Sequence, residues 1–310
     1  MASVTVIGCV QADVLTSPVT DLPPAGGTLL TDRVSVRVGG AGANSALALA
    51  ETGMEVRLIG CVGDDQLGRW MREELLPAGL ADELLIADAG SSGLTVALES
   101  PQRDRTFLTY LGVNADWSAE MIPRDALDTE NLLLCDYFVA PRLQGDVAQN
   151  LLATTRARGG RTFFDTAWDP GGFDVATRAQ VGDVLRFVDV FLPNEAEACA
   201  LAGVQPSAAR AAARHLQKLS GGWIVVKLGA RGCVASGPDR MELEIPAPVV
   251  EIVDSTGAGD AFNAGLIHAL SDGAEWPEAL TAATRFASAI IARPSDERYR
   301  VAVIDDISPE

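Results

Sequence analysis

The chain has 310 residues, of which 48% are hydrophobic and 21% charged, and its net charge is −18 at pH 7. This composition is typical of a globular protein, and the length suits one large α/β domain, which we assign to residues 1–310. The negative charge repels nucleic-acid phosphates and anionic membrane surfaces, so we expect neither as a partner.

The cysteines and histidines exclude two further classes of protein. Five cysteines are scattered along the chain without any Cys-x-x-Cys pair, and only two histidines are present, His215 and His268. A zinc site or a disulfide framework is therefore not expected. The N-terminus lacks a signal-peptide pattern and no apolar stretch is long enough to cross a bilayer, which predicts a cytoplasmic setting.

Along the chain, short apolar runs alternate with amphipathic runs. We predict strands at 4–9, 56–61, 132–135, 161–165, 188–193 and 223–228, and helices at 44–51, 66–76, 146–156, 195–202 and 208–219. This alternation predicts an α/β fold with a largely parallel central sheet that helices cover on both faces. Such sheets bind ligands at the carboxyl ends of their strands.

Two segments alternate apolar and polar residues instead, at 34–38 and 93–111, and the second contains a hairpin signal at 100–104. One apolar and one polar face is typical of a small antiparallel sheet outside the main core. We interpret the segments of approximately 12–38 and 93–115 as a β lid over the strand ends. The alternative is a solvent-facing decoration.

A glycine-rich segment at 254–260 lies between a β-rich run at 249–253 and an apolar pattern of helical spacing that begins near Phe262. Small residues at a helix start leave backbone N–H groups that bind anions, and the helix dipole adds to the attraction. Asp260 stands in the same turn, so an anion cradle lies beside a candidate general base. The alternative is an ordinary glycine turn in which Asp260 is a first-turn helix residue.

A second glycine-rich segment, 39–46, connects the half-polar run 34–38 to a predicted helix. Its glycines allow a ligand to approach the backbone, and Asn44 offers both a donor and an acceptor to hydroxyl groups. Alone, the spacing Gly40-x-Gly42-x-x-Ser45 also imitates a dinucleotide-binding turn. Close packing of a helix on a strand is a further alternative.

Together, the two segments resemble the signatures of the ribokinase-like (PfkB) carbohydrate kinase family. Residues 39–53 resemble its N-terminal signature and residues 254–262 its C-terminal one, and weaker matches follow the same order at 10–13, 60–68, 193–197 and 226–232. The resemblance covers essentially the whole chain. It implies the ribokinase-like fold, with the small β lid, and phosphoryl transfer from ATP to a hydroxyl group.

The resemblance also implies roles for matched residues. Asp260 is the base, and the backbone N–H groups that form the anion hole belong to Gly257, Ala258 and Gly259. Substrate hydroxyls are held by Asp13, Gly39, Gly40 and Asn44. Asn194 and Glu197 place Mg²⁺ through water, although Asn194 also suits a helix N-cap.

For the nucleotide, the resemblance implies a site lined by Gly229 and Gly232, and Asp254 is implied as ligand of a monovalent cation, K⁺. No Gly-Lys pair of a P-loop exists, so backbone N–H groups, Mg²⁺ and Lys227 are left to meet the phosphate charge. The chain departs from the family at 165–170, where Asp165 matches but the usual Asn and Arg do not. The later tract 292–298 lacks the usual glycine.

These observations predict a kinase dependent on ATP and Mg²⁺ that phosphorylates a hydroxymethyl group of a monosaccharide. A nucleoside kinase is the first alternative, with Phe107, Trp117 and Trp168 as candidate surfaces for the base. A sugar phosphate substrate requires cations, for which the candidates are Arg33, Arg37, Arg103 and Arg105. A dinucleotide-dependent oxidoreductase rests on the 40–45 spacing alone. A homodimer through the lid strands is an open expectation.

Overall fold

The computed structural model describes residues 3–99 and 106–294. Its larger sheet has eight strands: β1 Ser3–Ile7, β4 Glu55–Ile59, β9 Asn131–Leu134, β10 Arg161–Phe164, β11 Val190–Phe191, β12 Trp223–Lys227, β13 Cys233–Ser236 and β14 Glu242–Ile245. Their spatial order is β14-β13-β12-β11-β10-β9-β1-β4, and all pairings are parallel except β12 with β13 and β13 with β14. The fold is thus a mostly parallel sheet with an antiparallel edge.

Eight helices accompany this sheet: α1 Ala41–Glu51, α2 Gln66–Leu75, α3 Asp146–Ala157, α4 Val175–Leu185, α5 Glu195–Ala202, α6 Ala209–Ser220, α7 Ala258–Ser271 and α8 Trp276–Ile291. Two separate hydrophobic clusters form, one on each face of the sheet. Helices α3 to α6 contribute to one cluster, and α1, α2, α7 and α8 contribute to the other. Because both faces are covered, the central strands are mostly apolar, as is typical of parallel strands.

A smaller sheet contains β2 Gln11–Thr16, β3 Val34–Gly39, β7 Gly93–Leu98 and β8 Thr106–Tyr110, in the order β3-β2-β7-β8. The outer pairs are antiparallel, whereas β2 and β7 run parallel. A further parallel pair joins β5 Cys61–Gly63 to β6 Leu85–Ala87. The small sheet is therefore antiparallel in two of its three pairings.

The register of the small sheet separates its two faces. One row across the four strands is Arg37, Asp13, Thr95 and Thr109, and the next row, on the opposite face, is Val36, Val14, Val96 and Leu108. One face is thus polar and the other apolar, because successive residues of a strand point to opposite sides. The apolar face keeps large exposed side chains at its edges, with Val36 51% and Leu108 60% exposed.

The predicted strands and helices of the main sheet are present within a few residues of the expected positions. One local prediction was wrong, because the run 249–253 is not a strand. Pro246 and Pro248 precede it and remove ladder donors, and Val249 is fully exposed. The predicted hairpin turn at 100–104 lies outside the described residues. Across the described ranges, no helix is both long and apolar enough to span a membrane.

Candidate active site

Four polar side chains stand near the carboxyl ends of four neighbouring strands. Asp136 follows β9, Asp165 follows β10, Asn194 follows β11, and Lys227 ends β12. Parallel strands bring their carboxyl ends to one edge of a sheet, so four distant parts of the sequence meet there. Residue types that are costly to bury are therefore concentrated at one place.

Helix α7 begins at the same edge, and its start has the form of an anion site. Gly257 is the N-cap in a left-handed conformation with φ of 74°, and no side chain caps the helix. The N–H of Ala258 donates to the Ser255 carbonyl over a long 3.3 Å. The backbone N–H groups at a helix start attract negative charge. Asp260 lies in this first turn, as the sequence predicts.

A buried ion pair stands beside this helix start. Lys227 Nζ donates to Asp165 Oδ2 at 2.6 Å and to Asn263 Oδ1 at 3.2 Å, and Asn263 Nδ2 donates to the same Asp165 oxygen at 2.7 Å. A Cβ added to Gly259 would lie 3.3 Å from Lys227 Nζ. The ammonium group thus lies next to the predicted anion hole while a carboxylate holds it in place.

The surroundings of Asp260 change its acidity. Burial is the largest cause and raises the pKa of Asp260 to about 8; Asp165 raises it further, whereas Lys227 and a hydrogen bond from the Asn44 side chain oppose the shift. A carboxylate with a pKa near neutral pH both holds and releases a proton in the working range of an enzyme. The contact with Asn44 also brings the two glycine-rich segments of the sequence together.

Asn194 and Glu197 form a reciprocal cap at the start of α5. Asn194 Oδ1 accepts from the Glu197 N–H at 2.9 Å, and the two oxygens of Glu197 accept from the backbone and side-chain nitrogens of Asn194 at 2.9 and 2.6 Å. Burial raises the pKa of Glu197, as does Asp165, and Lys227 lowers it in part. The N-cap alternative for Asn194 is thus present in the structure.

Within residues 3–99 and 106–294, no three Asp, Glu, His or Cys side chains are grouped to hold a metal. Mg²⁺ at nucleotide sites needs no such group, since one or two carboxylates, phosphate oxygens and water complete its shell. Asn194 and Glu197 supply oxygen atoms of the right kind near Lys227, with which Asn194 forms an isolated β-bridge. The donor set therefore fits a magnesium ion held through water.

A cavity of about 280 Å³ opens from the start of α7 toward β14. Lys227, Gly229 and Gly232, for which the sequence predicts a role at the nucleotide, all line this cavity. Its remaining wall is mostly apolar and comes from the segment 247–252 and from α8, through Val250, Ile252, Ala287 and Ile291 among others. An apolar slot that leads to an anion-binding helix start suits a nucleotide, with its base in the slot and its phosphates at the helix.

The predicted substrate residues gather where the polar face of the small sheet meets α1. Asp13 lies over Gly39 so closely that a Cβ at Gly39 would come within 2.0 Å of Asp13 Oδ2. Gln11 Nε2 donates to Asp13 Oδ1 at 3.2 Å and to Thr95 Oγ1 at 2.7 Å. Gly40 and Asn44 follow at the N-terminus of α1. The arrangement offers several hydrogen-bonding groups on one polar surface.

Asp136 fastens this region to the main sheet, a role that sequence reasoning missed. Its Oδ2 accepts from the N–H groups of Cys9 and Gly42 at 2.9 and 3.0 Å. Burial raises the pKa of Asp136 to about 7, against the effect of these two bonds. A signal was present in the sequence, since a carboxylate almost directly after the apolar run 132–134 falls at a strand end.

Asn263 and the 247–252 wall were also missed. Asn263 lies three residues after Asp260 and hence on the same face of α7, which is a readable spacing. The wall residues carry no signal, because apolar side chains in a proline-rich stretch are typical of many structures. Trp117 is fully buried, so it offers no surface to a base. Arg103 and Arg105 lie outside the described residues.

The predicted cation ligand Asp254 already has a cationic partner. Arg37 Nη1 donates to Asp254 Oδ2 at 2.9 Å, and Asp254 Oδ1 accepts from the N–H and hydroxyl of Thr256 at 2.9 and 2.7 Å. A guanidinium cation thus already lies against this carboxylate. It would repel a second cation, so the arrangement does not fit a potassium ion at Asp254.

A buried carboxylate, a helix start without a side-chain cap, a lysine and an apolar slot meet at one sheet edge, and this arrangement suits phosphoryl transfer. Comparisons with known proteins agree. The sequence matches the pfkB family of carbohydrate kinases over residues 1–298. The chain belongs to this family, and it is an enzyme of the class that phosphorylates alcohol groups of carbohydrates.

Individual relatives show the range of this family. The ribokinase of Haemophilus influenzae is 27% identical over 90% of this chain and 88% of its own. The aminoimidazole riboside kinase of Salmonella typhimurium is 30% identical over 79% and 77%. Among solved structures, a proposed ribokinase II from E. coli in complex with ATP and Mg²⁺ has a TM-score of 0.79 at 20% identity, over 95% of this chain and 94% of that one. The fold is therefore ribokinase-like.

Proposed function

We propose that the protein transfers the γ-phosphate of ATP to the hydroxymethyl group of a monosaccharide. The observation that carries this proposal is the position of Asp260, in the first turn of α7, between the Gly257–Gly259 backbone and the groups that gather around Asn44. A donor phosphate at the helix start and a hydroxyl near Asn44 would both lie beside this carboxylate. Family membership supports the choice of a carbohydrate acceptor.

Asp260 removes the proton of the attacking hydroxyl. As the hydroxyl oxygen bonds to the γ-phosphorus, the bond between that phosphorus and the β–γ bridging oxygen breaks, and ADP leaves with the electron pair. With its pKa near 8, Asp260 is a stronger base than an ordinary carboxylate, although a fraction of the molecules must first lose a proton. Asn44 orients the carboxylate and, with Asp13, Gly39 and Gly40, holds the sugar.

The transferring phosphoryl group carries charge that the protein meets in two ways. The backbone N–H groups of Gly257, Ala258 and Gly259 point at it with the positive end of the α7 dipole. Lys227 adds a full positive charge beside Gly259. Burial lowers the pKa of Lys227, but Asp165 and Glu197 raise it more, so the amine stays protonated. Lys227 thus supplies a cation in a chain that lacks the usual arginine of the family pattern at 165–170.

The base and ribose of ATP occupy the cavity lined by Gly229, Gly232 and the 247–252 wall. Mg²⁺ would be held through water by Asn194 and Glu197, and when bound it neutralises phosphate charge. The E. coli structure was solved in complex with ATP and Mg²⁺, which supports these two cofactors for the fold. Asn194 then serves both as the cap of α5 and as a site residue.

The test is ADP release from Mg-ATP over a panel of monosaccharides, sugar phosphates and nucleosides, with Asp260→Asn assayed in parallel. We expect turnover of at least one hydroxymethyl sugar, lost in the variant. Calorimetry of Mg-ADP binding verifies that each protein is folded. Binding of nucleotide without turnover of any member would contradict the sugar kinase proposal, and absence of nucleotide binding would contradict the whole site.

A nucleoside kinase is the second candidate, and two observations favour it. The Salmonella relative is named for a riboside substrate. Phe107 and Trp168 are 58% and 53% exposed, so both have ring surface available to a base. Turnover of nucleosides without turnover of free sugars would establish this alternative while keeping Asp260 as the base.

Two weaker alternatives concern the substrate and the cofactor. A phosphorylated sugar requires a cation in the substrate pocket, and one of the four candidates, Arg37, is paired with Asp254. The dinucleotide alternative needs a parallel core strand before Gly40, whereas β3 belongs to the small sheet and pairs antiparallel with β2. Family membership also favours a kinase.

We further propose a homodimer that buries the apolar face of the lid. Val34, Val36, Leu108 and Tyr110 all lie on that face, and each is more than half exposed. Exposed apolar clusters on a sheet with unpaired edges are typical of interfaces. The polar face stays available to the substrate in such a dimer.

A further inference from the structure

Arg37 connects the lid sheet to the loop that precedes α7, two parts of the proposed site that lie 217 residues apart in sequence. It extends from β3 of the lid to Asp254 at 2.9 Å, and the two side chains are only 19% and 10% exposed. Ion pairs shielded from water interact more strongly than surface pairs, and loss of one partner leaves the other uncompensated.

On the far side of this pair, Asp254 holds the loop that leads into the anion hole. Its second oxygen accepts from the backbone N–H and from the hydroxyl of Thr256. Thr256 directly precedes Gly257, whose left-handed conformation starts α7. A shift of the Asp254 carboxylate would therefore reach the phosphate-binding N–H groups within three residues.

On the near side, Arg37 faces the substrate residues. It lies opposite Asp13 in the β2–β3 register, on the polar face of the lid. Burial raises the pKa of Asp13, while the hydrogen bond from Gln11 and the charge of Arg37 lower it. The Nε of Arg37 is buried and has no hydrogen-bond partner among the described residues. Buried donors of this kind usually find an acceptor, which a bound hydroxyl would provide.

We propose that Arg37 is a positioning residue that couples the substrate lid to the anion hole, and that its guanidinium takes the place of a monovalent cation at Asp254. The inference rests on the proposed function for the identity of the two ligands. Binding of a sugar on the polar face fixes Arg37, and through Asp254 this orders the loop that receives the γ-phosphate. Sugar and nucleotide therefore increase each other's affinity. Because the cation is covalently tethered, the reaction proceeds without potassium.

The test uses Arg37→Met, Arg37→Lys and Asp254→Asn, with Arg69→Met as a matched control. Arg69 pairs with Asp64 at a similar 3.0 Å, but both side chains are more than half exposed. Calorimetry measures the affinity of each protein for the Mg²⁺ complex of β,γ-methylene ATP. The measurement is made with and without the panel sugar that has the highest turnover. We expect the sugar to tighten nucleotide binding by about 5- to 50-fold in the parent and by less than about twofold in Arg37→Met.

Arg37→Lys should keep part of the coupling, and Arg69→Met all of it. Equal coupling in the parent and Arg37→Met would overturn the proposal. If Arg37→Met fails to fold, Asp254→Asn gives the same test from the other partner, with the same expected loss of coupling.

Turnover is measured with 100 mM K⁺ and with 100 mM tetramethylammonium in its place. The comparison tests whether the Arg37 guanidinium replaces a monovalent cation. The parent should change by less than about twofold, whereas Arg37→Met should fall about 10-fold or more in kcat and recover in part with K⁺ or guanidinium. Several-fold activation of the parent by K⁺ would contradict the tethered cation. A fall in the kcat of Arg37→Met that neither K⁺ nor guanidinium reverses would also contradict the tethered cation.

Hydrogen exchange separates a failure of this inference from a failure of the proposed function. If no sugar is turned over by the parent, the proposed function fails, yet the ligand-free protein still reports on Arg37. Peptides covering residues 254–261 should exchange about 10-fold faster in Arg37→Met than in Arg69→Met. Equal exchange in the two variants would overturn the positioning role by itself.

Discussion

In the eight-stranded sheet, the polar side chains of the site stand at strand ends, whereas in the four-stranded lid they form a row along one face. The groups at the strand ends and at the starts of α5 and α7 are enclosed by the packed helices, and burial moves the pKa of Asp136, Glu197 and Asp260 upward. Apart from Arg37, which pairs with Asp254, the residues of the lid row have partners within their own sheet, such as the hydrogen bond from Gln11 to Thr95. The first region is thus suited to chemistry and the second to recognition of the substrate.

Asp260→Asn should produce the largest effect and should fall on the chemical step. Removal of a general base lowers kcat by about 10²–10⁴, because no other group takes the proton of the hydroxyl. Affinity for Mg-ADP should change little. Steady-state kinetics of ADP release measures the first quantity, and calorimetry measures the second. Asp272→Asn, at the exposed C-terminal end of the same helix, is the control. A kcat of Asp260→Asn within about threefold of the parent value would contradict the assignment of Asp260 as the base.

Lys227→Met should come next and should also lower kcat. Loss of one preorganised charge at the transferring phosphate costs about 10²–10³ in kcat, and Asp165 is left without its ion-pair partner. The KM of the sugar should change far less, since the lid is untouched. Lys218→Met, which changes the only other lysine at an exposed position, is the control. An effect confined to the sugar KM would contradict the role of Lys227 at the transferring phosphate and would indicate a role in substrate binding.

The two regions also differ in how far the sequence predicted them. Strand ends followed by Asp165, Asn194 and Lys227 were readable, because apolar runs define the strands and the sheet brings their ends together. The polar row of the lid was not readable, since it depends on the register between four strands. The pairing of Arg37 with Asp254 likewise has no local signal. A contact between a lid strand and the loop before α7 is set by tertiary packing, which the periodicity of a sequence does not contain.

Gly39→Ala should weaken recognition of the sugar by the lid. A Cβ at this position would come within 2.0 Å of Asp13 Oδ2, so the carboxylate must move. Displacement of a substrate-holding group by about 1 Å can cost up to about 10²-fold, and we expect the sugar KM to rise at least about tenfold. The KM of ATP should stay within about twofold. Gly182→Ala, on α4 with only Leu219 at 3.7 Å, is the control. An unchanged sugar KM would contradict the placement of Gly39 at the substrate site.

Asp165→Asn should shift a pH profile. Asp165 raises the pKa of Asp260, so its neutralisation lowers that pKa, and Lys227 is released to lower it further. The base must be deprotonated, so activity rises with pH through the pKa. The acidic limb, near pH 8 in the parent, should therefore move to lower pH by about one unit, which is about tenfold in the ratio of the two forms. The measurement is kcat/KM at ATP far below saturation. A limb that moves upward would contradict the electrostatic account.

The smallest effect on activity is expected on the apolar face of the lid. Leu108→Asp places a charge in the proposed dimer interface, where Leu108 is 60% exposed in the single chain. Burial of an unpaired charge is costly, so sedimentation velocity should find monomer where the parent is dimeric. Activity should change less than about twofold, since the polar face on the other side keeps its hydrogen bonds. Leu219→Asp, exposed on α6, is the control. A parent that is monomeric at high concentration would contradict the dimer, and a large loss of activity in a monomeric variant would mean that the two faces of the lid are not independent.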